Sequence, residues 1–530
     1  MRVRHQALSL LSWASSGICG LLTPYSASNT CSSEAFPYPE VEGAKILTLT
    51  AQQVHNYTSS LAALADWPGG NFTQNFCNVT ITYTHPRWND TINVWTWLPL
   101  ENWNGRYMAQ GGGGFVTGDA NMFHPPALDR GFAVTSTDGG HVGTNDPSTW
   151  ALTPDGKIDY YRLKDFAYIA LHDANVMGKA LAEAFYGQPP NYSYYSSCSS
   201  GGRQGLTMAQ RYPHDYDGIL ALSPAINWAT FIIAEYWPQL VMNQLGVYPR
   251  PCELDAISAA AIEACDELDG VKDGIVAAPS LCKFDPHTLV GQTFNCSGVE
   301  ASFTEAAATI ALETWRGPAE WFGVNPGTPL TGYVSLANTQ CASPTSTDCE
   351  GVSFIVATGW ISLFLEQNPN FDLKSLNYET YGALFELSRA RFEHIISNNN
   401  PDLSNFAAAG GKMVTWHGLE DEVIPPNGSS HYYQRVLDED ANARDYYRFF
   451  ELPGTFHCRP GLGPFPNDTL SKVMRWVEEG VAPDTLDGVI QDPITGEVKG
   501  KRKLCQWPLV EKYVGGDITQ EASFVCSESF

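Results

Sequence analysis

The residues whose types and spacing could do chemistry are a serine, an acid and a histidine, each directly after a strand-like run. Tyr192–Ser197 has strand composition, Leu206–Tyr212 reads as helix, and Cys198-Ser199-Ser200-Gly201-Gly202-Arg203-Gln204-Gly205 between them is a tight turn of small residues. A serine held on a strand-to-helix turn has its hydroxyl pushed into the open, above the free amides of a helix N-terminus. The stretch approximates G-x-S-x-G around Ser199, with Ser197 where the first glycine would stand. Such a nucleophile needs a histidine base and a carboxylate to orient that base. In parallel α/β sheets of this kind the chain order is Ser, then Asp or Glu, then His. Trp416-His417-Gly418-Leu419-Glu420-Asp421-Glu422 offers Asp421, for which Glu420 or Glu422 could stand in, and Pro453-Gly454-Thr455-Phe456-His457-Cys458 offers His457. His417, two residues past Thr415, reads as a structural or pocket-lining histidine rather than as the base. Cys198 precedes Ser199 and Cys458 follows His457. Joined, they would tie the nucleophile and base loops together with Cα atoms about 5.5–6 Å apart.

Positioning these residues requires a sheet. Asn78–Thr84 and Thr91–Leu98 alternate polar and apolar residues as strands do. Arg106–Gln110 runs as a strand into Gly111-Gly112-Gly113-Gly114, where glycines let backbone amides approach a ligand. Phe132–Thr137 reads as a buried strand and Tyr216–Pro224 as a strand ending in a turn, and Asp165–Phe185 carries apolar residues at helical spacing until Gly187-Gln188-Pro189-Pro190. Strands alternating with helices predict an α/β fold with a parallel or mixed sheet covered on both faces. The rhythm breaks at about residue 225 and resumes at Lys412–Gly418 and Tyr446–Phe450. The chain therefore divides into 28–224 plus 406–530 as the catalytic core and 225–405 as a large insertion over the carboxyl ends of the strands.

Composition bounds the setting. A net charge of −26 argues against nucleic acid or an anionic membrane as partner. Arg2 and Arg4, a short apolar run and small residues near Ser26-Ala27 predict a secretory signal over residues 1–27, too short and too interrupted to span a bilayer. Removing Cys19 with it leaves twelve of the 13 cysteines, an even number that suits an oxidising compartment. Eight N-x-S/T sites, at Asn56, Asn71, Asn78, Asn89, Asn191, Asn295, Asn427 and Asn467, point the same way and predict N-glycans.

Cys198-Ser199, Asp421 and His457-Cys458, with Ser199–Gly205 and His417-Gly418 through Pro425-Pro426, resemble the motifs of the tannase and fungal feruloyl esterase family from about residue 30 to the end. The resemblance implies an α/β-hydrolase core with a lid domain, acting on esters of aromatic acids: feruloyl or other hydroxycinnamoyl esters of plant cell-wall polysaccharides, or related phenolic esters. His457 would take the Ser199 proton, Asp421 would fix the imidazole tautomer, and an acyl-enzyme would form and be hydrolysed. The oxyanion hole would be the Ser200 amide plus one amide of Gly112–Gly114, taken as Gly113. Ser197, in place of the family's usual glycine, bears on how the elbow packs.

Cys265-Asp266-Glu267-Leu268-Asp269-Gly270-Val271-Lys272-Asp273-Gly274-Ile275 gathers carboxylates of a kind that suits Ca²⁺, although Ala277 at the twelfth position, counting Asp266 as the first, rules out an EF-hand. Otherwise it is an acidic loop closed by Cys265–Cys282. The family resemblance implies a structural calcium in the lid, held by the side chains of Asp266, Asp269 and Asp273 and the carbonyls of Val271 and Ile275. The remaining expected disulfides are Cys31–Cys77, Cys505–Cys526, Cys341–Cys349 and Cys252–Cys296, which spacing alone does not fix. Two other readings stand beside the feruloyl esterase: a tannase acting on galloyl esters, away from which Gln204 leans, and a catalytically silent hydrolase fold used for binding.

Overall fold

The nucleophile strand lies near the middle of a nine-stranded mixed sheet. The computed structural model describes residues 30–67, 69–141, 143–344, 346–491 and 497–530, so the expected signal over residues 1–27 lies outside it. The strands are β1 (Lys45–Leu61), β2 (Gly70–Thr84), β3 (Ile92–Pro99), β4 (Arg106–Gln110), β5 (Ala133–Thr137), β6 (Tyr192–Cys198), β7 (Gly218–Leu222), β8 (Lys412–Gly418) and β9 (Tyr447–Leu452). Their order is β1-β2-β3-β5-β4-β6-β7-β8-β9. β1, β2, β3 and β5 pair antiparallel, and every pair from β5–β4 through β8–β9 is parallel.

The parallel strands are buried on both faces, so both sets of alternating side chains supply apolar residues to a core. Tyr107, Tyr195, Ile219 and Met413 enter one core with helix α3 (Ile169–Tyr186). Met108, Tyr194, Leu220 and Val414 enter the other with α1 (Ala120–Asp129) and α11 (Thr469–Glu479).

The helix expected over Asp165–Phe185 is two: α2 (Tyr160–Ala167) precedes α3, and Tyr168 between them leaves the helical conformation at φ −164°, ψ −32°. The break redirects the apolar stripe. Phe166 and Ala167 enter an aromatic cluster with Trp150 and Trp228, whereas Ala170, Leu171 and Ala174 face the sheet. Arg203 Nη1 donates to the Ala167 carbonyl at 3.2 Å, one of those the break leaves without a helical donor. The helix after the elbow, α4 (Ser200–Arg211), begins immediately after Ser199 rather than at Leu206.

Between β7 and β8 lie α5 (Trp228–Ala234), α6 (Trp237–Leu245), α7 (Pro251–Cys265), α8 (Glu305–Arg316) and α9 (Tyr378–Ile396), with two short hairpins. One apolar cluster is internal to this segment, around Leu254, Ile257, Ile310 and Trp315. The other joins Trp228, Trp360, Phe364 and Phe392 to Phe115, Trp150 and Phe166 of the preceding chain. Each such buried ring contributes about 1.5–3 kcal/mol, so the insertion is fastened to the sheet elements by a shared core as well as by its two linkers. Helix α10 (Asn427–Glu439) links β8 to β9; beyond β9, helix α11 covers the sheet, and β10 (Phe465–Pro466), β11 (Thr485–Gln491) and β12 (Val498–Cys505) form a separate antiparallel sheet. The hairpin of β13 (Val510–Tyr513) and β14 (Phe524–Ser527) follows. All six expected disulfides are present, including Cys265–Cys282 and Cys198–Cys458.

Candidate active site

Ser199 sits at φ 63°, ψ −128°, a conformation that a non-glycine residue holds only when its surroundings enforce it. Its N–H donates to Leu222 O at 3.0 Å, and its carbonyl accepts from Ala225 N–H at 3.0 Å, so the turn is stitched to the end of β7. The helix can close on the strands because of its glycines. A Cβ on Gly201 would lie 2.5 Å from Ser197 Cβ and 2.8 Å from Gly112 O, and one on Gly202 would lie 2.9 Å from Pro224 Cα. Gly201 thus makes the room that Ser197 occupies, which is how the elbow accommodates its departure from G-x-S-x-G.

The structure brings the three sequence-selected residues together. His457 Nε2 is 2.9 Å from Ser199 Oγ, and His457 Nδ1 is 2.7 Å from Asp421 Oδ2. Asp421 is fully buried, and its Oδ1 accepts the N–H groups of Val423 at 2.9 Å and Ile424 at 2.8 Å. Burial alone would raise the Asp421 carboxyl, but the charge of His457 and the hydrogen bonds from His417 and His457 hold it well below the usual carboxylate range. Burial likewise disfavours a charged His457, yet Asp421's charge and hydrogen bond outweigh it, and the imidazole is raised above its ordinary value.

Neither flanking acid touches the imidazole ring. Glu422 accepts the His457 backbone N–H at 3.0 Å and pairs with Arg459. Glu420 is buried, pushed up to about 8 by that burial, and lines a small cavity with Val276, Gly454 and Phe456. His417 stands behind Asp421, with Nε2 3.1 Å from Asp421 Oδ2 and 3.1 Å from Ile424 O, and Nδ1 2.8 Å from Ser429 Oγ. Those partners require a proton on Nε2 and leave Nδ1 to accept from the serine. From the insertion, Asn325 Nδ2 donates to Leu419 O at 2.8 Å and braces the same loop. Sequence reading kept His417 from the base role but named no partner for it, and did not single out Asn325, because both contacts depend on how distant segments meet this loop in the fold.

The disulfide Cys198–Cys458 joins the nucleophile and histidine loops with Cα atoms 6.1 Å apart. On the opposite side, Gly112 O accepts the Gly201 N–H at 2.9 Å, which seats the glycine loop against the start of α4. Buried Gln204 braces that loop: Nε2 donates to Thr117 O at 3.2 Å, and Oε1 accepts the Gly112 N–H at 3.3 Å and the Tyr195 hydroxyl at 3.1 Å. Its contacts are with the loop backbone and Tyr195, so any bearing of Gln204 on acyl choice is indirect. With the Gly112 amide engaged, the N–H groups of Gly113 and Gly114 have no acceptor among the described residues.

Residues 77–527 match the family model described as tannase and feruloyl esterase. The chain belongs to the tannase and feruloyl esterase family. It is 39% identical over 509 residues to a probable feruloyl esterase of Arthroderma benhamiae, an alignment that covers 93% of each chain. Among solved structures, the family fold superimposes on a tannin acyl hydrolase from Aspergillus niger with a TM-score of 0.84, at 28% identity over 95% of this chain and 96% of that one. It also superimposes on feruloyl esterase B from Aspergillus oryzae with a TM-score of 0.76, at 29% identity over 92% and 97%. The protein is a carboxylic ester hydrolase with an α/β-hydrolase sheet.

The acidic loop of the insertion folds around its own carboxylates. Asp266 accepts the N–H groups of Asp273 at 3.0 Å and Gly274 at 2.9 Å, and Asp269 Oδ1 accepts Val271 N–H at 3.0 Å. Val271 and Ile275 are buried. Asp273 Oδ2 pairs with Arg502 of β12 at 2.6 Å, and Glu511 of β13 lies 3.8 Å from the same guanidinium. Neither Arg502 nor Glu511 was singled out from the sequence, since both join the loop from more than 200 residues away. Three metal-type side chains bring ligand atoms within 4.8 Å of one another elsewhere, at His85, Asp90 and Asp165. That arrangement is compatible with a metal ion.

Proposed function

We propose that the protein is a serine esterase hydrolysing feruloyl or related hydroxycinnamoyl esters, with Ser199 as nucleophile, His457 as base and Asp421 as its orienting acid. The Ser199–His457–Asp421 hydrogen-bonded chain, on a strained elbow, carries this reading. His457 Nε2 accepts the Ser199 proton as Oγ attacks the ester carbonyl. The imidazolium then returns that proton to the departing alkoxide, and water, activated by the same nitrogen, hydrolyses the acyl-enzyme. Asp421 holds the proton on Nδ1, leaving Nε2 free to accept. The Ser200 and Gly113 amides would receive the oxyanion, and losing one such donor typically costs about 3–4 kcal/mol of barrier. Residues 28–224 and 406–530 serve as the catalytic core and 225–405 as a lid.

Relatives named as feruloyl esterases support the feruloyl acyl group. The higher TM-score to the tannin acyl hydrolase favours the second reading, a tannase acting on galloyl esters by the same mechanism. Hydrolysis of methyl ferulate and methyl gallate, with wild type and Ser199→Ala, tests both. Ferulate release lost in the variant supports the first; a preference for gallate moves the substrate to the second. No hydrolysis of either by folded wild type overturns the reading.

The lid loop fits a calcium ion. Asp273 Oδ1 and Glu511 Oε1 are buried without a hydrogen-bond partner. Asp269 is pushed up to about 6, by burial first and then by the charges of Asp273 and Asp266. Asp266, Asp269 and Asp273 with the carbonyls of Val271 and Ile275 would hold the ion, whose charge would neutralise the loop and stiffen the lid. Calcium-dependent thermal stability that is lost in Asp269→Asn supports this; insensitivity of wild type to both chelator and calcium sinks it. Six disulfides and the basic, apolar N-terminus support secretion, with N-glycans at the exposed sequons. Among these Asn78, half-buried within β2, is the least accessible.

A further inference from the structure

The cluster at His85 is built from two distant stretches. His85 follows β2, Asp90 precedes β3, Asp165 lies in α2 and Asp173 in α3. One imidazole faces three carboxylates, and no Lys or Arg among the described residues pairs with any of the three. Asp90 is fixed through Oδ1, which accepts the Thr84 hydroxyl at 2.7 Å and the His85 N–H at 2.8 Å, so Oδ2 is presented to His85 Nδ1 at 2.6 Å. Asp165 Oδ1 lies 3.8 Å from the same nitrogen. The Asp165 side chain is wholly buried, and neither of its oxygens has a hydrogen-bond partner. A buried ionised carboxylate without a partner is costly. This one points at a nitrogen that already faces a second carboxylate.

The other side of the ring is arranged differently. His85 Nε2 is 3.0 Å from Asp173 Oδ2, which also accepts the Tyr83 hydroxyl at 3.0 Å. A carboxylate behind one imidazole nitrogen, with two carboxylates converging on the other, is the pattern of a metal-ligating histidine and its orienting partner. Trp88 lies over the imidazole at 4.5 Å between ring centres, and Tyr161 stacks on Trp88 at 4.6 Å, which roofs the cluster.

We propose that His85 Nδ1, Asp90 Oδ2 and Asp165 Oδ1 bind a divalent transition metal, with Asp173 as the positioning residue that orients the imidazole. Zinc is the best-matched ion: one imidazole and two carboxylates are ordinary ligands for it, at about 2.0–2.2 Å. Ligand atoms 2.6 and 3.8 Å apart need sub-ångström shifts to adopt that geometry. Calcium, which takes oxygen ligands, is disfavoured by the imidazole, so this site is chemically separate from the lid loop. The ion would clamp the β2–β3 turn to α2, whose Phe166 enters the aromatic cluster that fastens the insertion.

The full-length protein, stripped with a strong chelator and dialysed against ZnCl2, tests the assignment by bound metal per chain and thermal midpoint. Wild type is expected to retain one zinc per chain and to gain about 2–3 °C at a hundredfold excess over Kd. Asp165→Asn loses the zinc and the shift while keeping its response to calcium. Asp173→Asn weakens zinc binding about 10- to 100-fold. Wild type without stoichiometric zinc, or Asp165→Asn that still retains it, overturns the proposal. So does Asp165→Asn that stabilises the protein with no zinc response in either form, which identifies a protonated carboxyl in an ordinary buried network. Should Asp165→Asn fail to fold, His85→Gln answers the same question, and zinc retained in that variant also overturns it.

Discussion

Replacing both Cys198 and Cys458 by alanine separates what the disulfide does for stability from what it does for the reaction. The bridge closes a ring across a sequence separation of 260 residues. Chain-entropy reasoning assigns such a ring about 5–6 kcal/mol of unfolded-state restriction. With an unfolding entropy of about 2.1 cal/mol/K per residue, that loss lowers the midpoint of a protein this size by about 5 °C. The catalytic effect is local. Without the bridge, the histidine loop is held by the Cys458 carbonyl accepting Ala65 N–H at 2.7 Å and by Glu422 accepting His457 N–H at 3.0 Å. Both contacts fix the histidine loop to its own surroundings, and among the described residues the hydrogen bond that then spans the two loops is the 2.9 Å contact of His457 Nε2 with Ser199 Oγ. A displacement of about 1 Å between reacting groups costs on the order of 100-fold. We expect kcat on methyl ferulate, measured at least 15 °C below both midpoints, to fall by about that factor in a folded protein. A double variant with the lower midpoint and a kcat within twofold of wild type would refute the positioning role and leave a plain staple. An unchanged midpoint would refute the stability estimate as well.

His457 must be neutral to accept the serine proton, and its pKa is raised, so lowering the pH protonates the base earlier than for a free imidazole; the acid limb of kcat/KM is expected above 6.5, and a limb at or below 6.5 contradicts this. His417→Ala removes a hydrogen bond to the buried Asp421 carboxylate, worth about 1.5–3 kcal/mol; kcat should drop about 10- to 100-fold with KM unchanged, and steady-state kinetics showing kcat intact would remove His417 from the positioning of Asp421. Gly201→Ala drives a Cβ onto Ser197 and Gly112 O, so activity and thermal midpoint should both fall. Adding Ser197→Gly should restore part of each, and no restoration would mean that the Gly112 carbonyl, not Ser197, is the limiting neighbour.

Local chemistry carried much of this protein in its sequence. β4 and β8 are short strands with apolar and aromatic residues at their centres and glycine at or beside their ends, a composition that suits strands buried on both faces, so their bounds were legible. The serine turn, the acid after β8 and the histidine after β9 could be selected because each follows a strand end. The cysteine beside two of them paired as expected. Where a signal depended on a partner distant in sequence, it was absent from the local pattern. The break at Tyr168 is invisible in the helical periodicity, because Phe166 and Ala170 are both apolar and only the fold sends them to different cores. The choice of Asp421 over Glu420 and Glu422 was left open by three consecutive acidic residues, and turn geometry alone aims one of them at the imidazole. Arg502 and Glu511 meet the acidic loop of residues 265–275, and Asp165 meets His85 and Asp90, because folding superimposes segments that share no sequence neighbourhood. Residue type and strand ends thus determined which groups could react, while tertiary packing decided which of them share a hydrogen bond, since burial and direction belong to the folded chain and not to its order.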